Sequence, residues 1–124
     1  MSSNITYYDK EANVYYVAGT HASQYEYYVA LALDKLKIDY TFQYMPWGFT
    51  GVRGQYIVDF LVYNPMPIPC EVFGEYWHLG MLGSDDKLRL AQIEQYFNQI
   101  PVIIWGRECD TYDKALATCR EKFA

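Results

Sequence analysis

The chain has 124 residues, of which 52% are hydrophobic and 20% charged, so it is long enough for one domain with a buried core and too apolar to be disordered. A formal net charge of −5 argues against strong nonspecific binding of nucleic acid. No apolar run approaches the roughly 18 residues of a membrane span, and residues 1–10 are too polar for a signal peptide. With three cysteines, an odd number, the chain is expected to be a reduced, cytoplasmic protein without membrane association.

The N-terminal half predicts a leading segment, a helix and two strands. Residues 1–20 read as a segment of their own with a short edge strand at 14–17, and residues 21–124 as the main domain. A helix is expected over about 23–37, because its apolar residues fall at helical spacing: Tyr25, Tyr28, Val29, Ala32, Leu33 and Leu36. Ser23 and Glu26 have the spacing of a capping box at its start. Strands follow at 40–44 and at 56–63, the more apolar of the two and therefore expected at the centre of the sheet.

The C-terminal half adds two strands and two helices. The prolines of residues 64–69 are not expected in a central strand, because proline has no ladder donor, so the next strand is placed at 70–73. After an aromatic loop, Ser84 or Asp85 is expected to cap a helix over about 86–98. A short buried strand at 101–105 and a final helix, capped by Asp110 or Thr111, complete the chain.

This order of elements defines the expected fold class. The sequence reads helix, three strands, helix, strand, helix. Three consecutive strands followed by a helical crossover to a fourth predict an α/β domain with a mixed four-stranded sheet and helices on its faces.

Two acidic residues lie inside the apolar strands. Asp59 interrupts residues 57–63 and Glu71 lies in 70–73. A carboxylate is costly to bury unless it is paired, and two carboxylates on neighbouring strands are a suitable pair of ligands for a divalent metal ion. Strand residues that face solvent are the simpler alternative for both. Zinc is not expected, since the cysteines form no CxxC pair and the two histidines are far apart.

The position of these acids resembles a known superfamily. An acid in the second strand (IVDF), another in the third (CEVFGEYWH) and the later run DDKLRLAQIEQYFNQIPVIIW are similar to the PD-(D/E)xK nuclease-like superfamily. The chain looks most like the very-short-patch-repair endonucleases and their small single-domain relatives. The resemblance covers about residues 20–124 and implies a restriction-endonuclease-like core.

The resemblance implies a metal-dependent DNA endonuclease. Asp59 and Glu71 match the two metal-binding acids and would hold Mg²⁺ or Mn²⁺. Glu26, in the first helix, would help to position the metal, although its capping box explains it equally well. His78 or Glu75 would accept the proton of the attacking water, as histidine suits general-base chemistry near neutral pH.

Four further residues are candidates for contact with DNA. Arg53, Lys87 and Arg89 are suited to phosphate contacts, and Trp77 to stacking on unpaired or distorted bases. Ordinary explanations are solvated charges, an intrahelical pair of Arg89 with Asp86, and core packing of the tryptophan. The implied substrate is branched or mismatched DNA in repair, recombination or phage DNA processing, and a homodimer is expected by analogy only.

The chain departs from the superfamily at one position. A lysine usually stands two residues after the second acid, where this chain has Phe73. Either His78, Glu75 or Lys87 takes that role, or catalysis is lost. The alternative function is therefore a catalytically inactive nuclease-fold module for binding or assembly. An RNA-directed nuclease is a third reading, which no motif supports.

Overall fold

A computed structural model describes residues 5–46, 57–74 and 83–124. In these ranges the chain forms seven strands, three α-helices and one turn of 3-10 helix at Gly106–Glu108. The strands are β1 Tyr7–Asp9, β2 Val14–Val17, β3 Thr20–Ala22, β4 Asp39–Tyr44, β5 Val58–Tyr63, β6 Pro67–Phe73 and β7 Val102–Trp105. The helices are α1 Gln24–Lys35, α2 Ser84–Phe97 and α3 Tyr112–Phe123.

The main sheet is mixed and has four strands in the order β4-β5-β6-β7. β4, β5 and β6 form an antiparallel meander, and β7 joins β6 in parallel after the crossover through α2. The predicted α/β class, the order of elements and the four-stranded mixed sheet are confirmed. β5 is an interior strand, as its apolar sequence indicates.

The N-terminal strands form a separate antiparallel sheet in the order β1-β2-β3. The strand predicted at residues 14–17 is present, but it is the central strand of this sheet, so its assignment as an edge strand was wrong. Its partners have only three residues each, too few to show an alternating pattern. Tyr15 stacks on Tyr8 at 4.4 Å between ring centroids and contacts Tyr27 of α1 at 4.9 Å, so aromatic packing attaches the small sheet to the main domain.

β6 begins at Pro67, earlier than the expected start at residue 70. Pro67 and Pro69 pair with Tyr63 and Leu61 of β5, whereas β7 pairs with β6 only from Cys70 onward. The prolines therefore lie where β6 has a neighbour on one side only. A missing N–H is tolerated at such an edge, which is why the exclusion of prolines from this strand was wrong.

Two of the three helices begin where the sequence predicts. Ser23 caps α1 in a complete capping box, and the hydroxyl of Thr111 accepts a hydrogen bond from the Lys114 N–H at the start of α3. α2 begins at Ser84, and its N-cap is Gly83, which makes no side-chain cap, so the prediction that Ser84 or Asp85 caps this helix was wrong. Within the described ranges, no helix has the length and apolarity that a membrane crossing requires.

The main hydrophobic core lies between the sheet and helices α1 and α3. A second, smaller cluster joins β5 to α2 through Val58 and Ile93. The fully buried members of the first cluster include Val29, Leu33, Phe60, Val62, Cys70, Ile104 and Cys119. Helix α2 therefore packs on the sheet separately from α1 and α3, and it brings its own side chains to β6.

We expect Ser23→Ala to lower the free energy of unfolding by about 1 kcal/mol, because the Glu26 N–H at the start of α1 loses its acceptor. Urea denaturation measures this loss. Ser23→Asp, which also caps helices well, should retain most of the stability. Equal stability of the alanine variant and the wild type would show that the cap contributes little.

Candidate functional site

The two strand acids replace backbone hydrogen bonds between β5 and β6. The regular pairing of these strands ends at Phe60 and Cys70, and the next residues in this register are Asp59 and Glu71. There the Asp59 N–H donates to Glu71 Oε2 at 2.9 Å, and the Val72 N–H donates to Asp59 Oδ2 at 2.9 Å. Each carboxylate therefore has one oxygen fixed by the backbone of the facing strand, and the predicted pair is brought together.

The other neighbour of β5 is also irregular at Asp59. The register of β4 with β5 contains Phe42 opposite Phe60 and Tyr44 opposite Val58, but not the intervening pair. Gln43, the residue that would face Asp59, has a left-handed backbone with φ of 55°. Such a conformation is uncommon for a residue other than glycine and marks a local interruption of the ladder. The regular pairing of β5 is thus interrupted at Asp59 on both sides, toward β4 and toward β6.

Glu71 is fully buried, whereas Asp59 is partly buried. Glu71 Oε2 accepts the Asp59 N–H, whereas Oε1 accepts no well-oriented hydrogen bond from the described residues and is compensated there by an ion pair with Arg89. A buried carboxylate needs this compensation, because an unpaired charge in an apolar interior is energetically costly.

Among the described residues, Arg89 of α2 supplies the positive charge in contact with this pair. Its Nη2 lies 2.8 Å from Glu71 Oε1, and its guanidinium lies 5.8 Å from the centre of the Phe73 ring. The predicted intrahelical contact with Asp86 is present but long, at 3.9 Å. The sequence contained a signal for the inward position, since Arg89 lies four residues before the buried Ile93 and so shares its helical face.

The electrostatics of the pair favour protonation. Burial raises the pKa of Glu71 to about 8, and the nearby negative charge of Asp59 adds to this effect. Burial also raises the pKa of Asp59 to about 6, although the Val72 N–H opposes the shift. Arg89 lowers both pKa values. One cation therefore does not compensate fully for two adjacent buried acids.

Glu26 contributes negative charge near the site, but its side chain is bound in the capping box of α1. Its negative charge raises the pKa of both Asp59 and Glu71, so the N-terminus of α1 is close to the pair. Its Oε1 accepts the Ser23 N–H at 2.9 Å in the capping box. In the described ranges, no three His, Cys, Asp or Glu side chains form a group that could hold a metal ion. Glu26 is thus a neighbour of the pair, and a direct role in metal binding stays a prediction.

The remaining predicted residues are not part of this geometry. Lys87 is exposed in the first turn of α2. Arg53, Glu75, Trp77 and His78 lie outside the described residues, so their proposed roles stay predictions. The described site consists of Asp59 and Glu71, with Arg89 paired to Glu71, the Phe73 ring beneath Arg89 and Glu26 nearby.

Comparison with known proteins found no matching family model, no matching curated protein and no matching solved structure. The resemblance to the PD-(D/E)xK superfamily therefore rests on the sequence pattern, and its restriction-endonuclease-like core stays a prediction. The site has to be interpreted from its own chemistry.

We expect the free energy of unfolding to fall as the pH rises from about 4 to about 8 in metal-free buffer. Asp59 and Glu71 have higher pKa values in the folded chain than their ordinary values of 3.8 and 4.5, so the folded state binds more protons in this range. Their contribution to stability is complete below the ordinary values and is lost as the pH passes the raised ones. Urea denaturation at a series of pH values measures the slope.

Glu71→Gln should flatten this pH dependence, because it removes the carboxyl group with the larger upward shift. The control is Glu94→Gln, which removes the same charge from an exposed position of α2. An unchanged slope in Glu71→Gln, with a folded protein, would show that the buried acid does not control the pH dependence.

Proposed function

We propose that the chain is a metal-dependent phosphodiester hydrolase that acts on DNA, with Asp59 and Glu71 as its metal ligands. One observation supports this proposal: two carboxylates lie on adjacent strands, each fixed by a backbone N–H of the facing strand, and the described residues place one cation, Arg89, in contact with Glu71. Two adjacent carboxylates beside one cation keep a net negative charge when both are ionised, and a divalent metal ion could compensate that charge.

The donor set suits Mg²⁺ or Mn²⁺. Both ions prefer carboxylate oxygens, and Mg²⁺ is commonly held by one or two carboxylates together with water and substrate phosphate. Asp59 Oδ2 and Glu71 Oε2 accept backbone N–H groups, which leaves Oδ1 and Oε1 as the candidate ligand atoms. Burial and neighbouring negative charge raise both pKa values, and a divalent cation would favour the ionised form of both acids.

In this proposal, some residues of the chain would bind the metal ion, and others would adjust the charge and the access of water around the phosphate. Bound Mg²⁺ would supply Lewis-acid activation of the scissile phosphate and of a water molecule. Asp59 and Glu71 would hold their oxygens rigidly, because backbone donors fix both side chains. Arg89 would contribute a positive charge toward the phosphate, and the apolar ring of Phe73 would restrict water beside it.

The other roles in this proposal come from the resemblance. His78 or Glu75 would accept the proton of the attacking water, with Glu26 close to the metal. Arg53, Lys87 and Trp77 would contact branched or mismatched DNA. A dimer would allow both strands to be cut. The net charge of −5 predicts that such contacts are local and that affinity for undamaged duplex is weak.

A catalytically inactive binding module is the second candidate, and Phe73 favours it. The position of the usual lysine is occupied by a side chain that is only 3% exposed and packs on Trp105 at 5.6 Å between ring centroids. In this reading, the ion pair between Arg89 and Glu71 replaces metal chemistry with a structural contact.

We expect Mg²⁺ or Mn²⁺ to raise the melting temperature of the wild type, because a ligand that binds only the folded state stabilises it. At a concentration of 100 times Kd, the gain is about 2.7 kcal/mol. Asp59→Asn should lose this shift and still fold, since its side-chain oxygen can accept the Val72 N–H. Melting that does not respond to either metal would favour the inactive module.

We expect metal-dependent cleavage of DNA that falls at least about a hundredfold in Asp59→Asn, which removes a ligand charge without removing the side chain. The assay compares supercoiled plasmid, single strands, a mismatched duplex and a four-way junction in Mg²⁺ and Mn²⁺. Asp86→Asn is the matched control, since within the described ranges the ion pair of that aspartate is the long contact with Arg89. Full cleavage by Asp59→Asn would contradict the assignment of the site.

A further inference from the structure

Arg89 occupies the carboxylate oxygen that the proposed cation would need. Its Nη2 lies 2.8 Å from Glu71 Oε1, while the Asp59 N–H binds Oε2. A guanidinium and a divalent cation cannot share one oxygen at contact distance without strong repulsion. Binding of the metal ion and this ion pair are therefore alternatives at Glu71.

The guanidinium has further hydrogen-bonding capacity. Arg89 Nε is buried and has no hydrogen-bond partner among the described residues, although it lies on the same planar group as Nη2. Arginine presents its donors as a fork that matches two oxygens of a phosphate. The present contact with Glu71 therefore leaves one donor of the guanidinium unused among the described residues.

The surroundings of Arg89 allow it to change partner. Its side chain is 33% exposed, and it lies over the Phe73 ring, which attracts a cation without fixing its direction by hydrogen bonds. Asp86, at 3.9 Å, is too distant for a strong second contact. Glu71 is therefore the principal anion that holds the guanidinium in its present position.

We propose that Arg89 is a partner-exchanging residue: it neutralises Glu71 until a divalent cation binds, and it then turns to a phosphodiester oxygen. This inference rests on the proposed function and goes beyond it. It assigns Arg89 a contact with the phosphodiester that forms only after the cation has bound, and it makes the ion pair a barrier to metal binding in the absence of substrate.

The first test is a Mg²⁺ titration at pH 8 of the wild type and of Arg89→Gln, followed by thermal melting. We expect the variant to bind Mg²⁺ about tenfold more tightly, because the competing cation is gone. Arg107→Gln is the matched control. Arg107 lies 5.6 Å from the Trp105 ring centre in a similar cation–π contact, so this variant removes the same charge without freeing Glu71.

A second measurement uses the unmodified side chain and does not depend on the folding of a variant. The Arg89 Nε–H resonance of the wild type is followed by NMR during addition of Mg²⁺ and of dimethyl phosphate, a phosphodiester too inert to be cleaved. We expect Mg²⁺ to shift the Arg89 signal and leave that of Arg107 unchanged. Dimethyl phosphate should shift the Arg89 signal only when Mg²⁺ is present.

The outcomes separate this inference from the proposed function. Tighter Mg²⁺ binding by Arg89→Gln alone, with the two-step NMR response, supports partner exchange. Equal affinities in wild type and Arg89→Gln, with loss of binding in Glu71→Gln, overturn the exchange and leave the metal site intact. A shift of the Arg89 signal by dimethyl phosphate without Mg²⁺ also overturns the exchange. Absence of Mg²⁺ binding in every protein overturns both proposals.

Discussion

The buried carboxylate of Glu71 is the constraint on which the rest of the site depends. A charge that has no access to solvent must be neutralised, paired or protonated, because the cost of leaving it alone in an apolar interior is several kcal/mol. The fold provides a backbone N–H from β5 and a guanidinium from α2. The two groups come from the elements on either side of β6 in the chain, so Glu71 contributes both to the docking of α2 on β6 and to the local pairing of β5 with β6.

These partners compensate only in part for the burial of the Glu71 charge. The negative charge that is left uncompensated favours binding of a cation. An acid that is held rigidly and remains short of positive charge is well suited to bind a cation, because little reorganisation is needed on binding. Its ordinary alternative would be a fully paired salt bridge, which is stable but inert. The irregular backbone around Asp59 also contributes to the site. In a regular ladder the N–H groups of Asp59 and Val72 would donate to carbonyl oxygens instead of carboxylates.

The sequence predicted the main sheet well because its signals are local. Apolar runs, the capping box at Ser23 and the cap at Thr111 each depend on a few neighbouring residues, and all three were confirmed. The pairing of Asp59 with Glu71 was also predictable, since consecutive antiparallel strands place matching positions side by side. The extra sheet at the N-terminus and the proline-containing start of β6 were not, because each depends on which neighbours a strand has.

The contacts of Arg89 likewise could be predicted from the sequence only in part, because they depend on tertiary packing. Its spacing from Ile93 places it on the inner face of α2, but its selection of Glu71 over Asp86 is set by the docking of the helix on β6. The Phe73 position was recognised as unusual from the sequence alone. That an arginine from another element lies over this ring could be learned only from the tertiary structure.

The two amide groups that bind the carboxylates have a spectroscopic consequence. The N–H groups of Asp59 and Val72 donate to ionisable oxygens, whereas most amides of the sheet donate to carbonyl oxygens, which do not titrate. An amide proton moves downfield when its acceptor becomes charged and forms a stronger hydrogen bond. The backbone therefore contains two reporters, the Asp59 amide for the charge state of Glu71 and the Val72 amide for that of Asp59, and both can be followed in a proton–nitrogen spectrum.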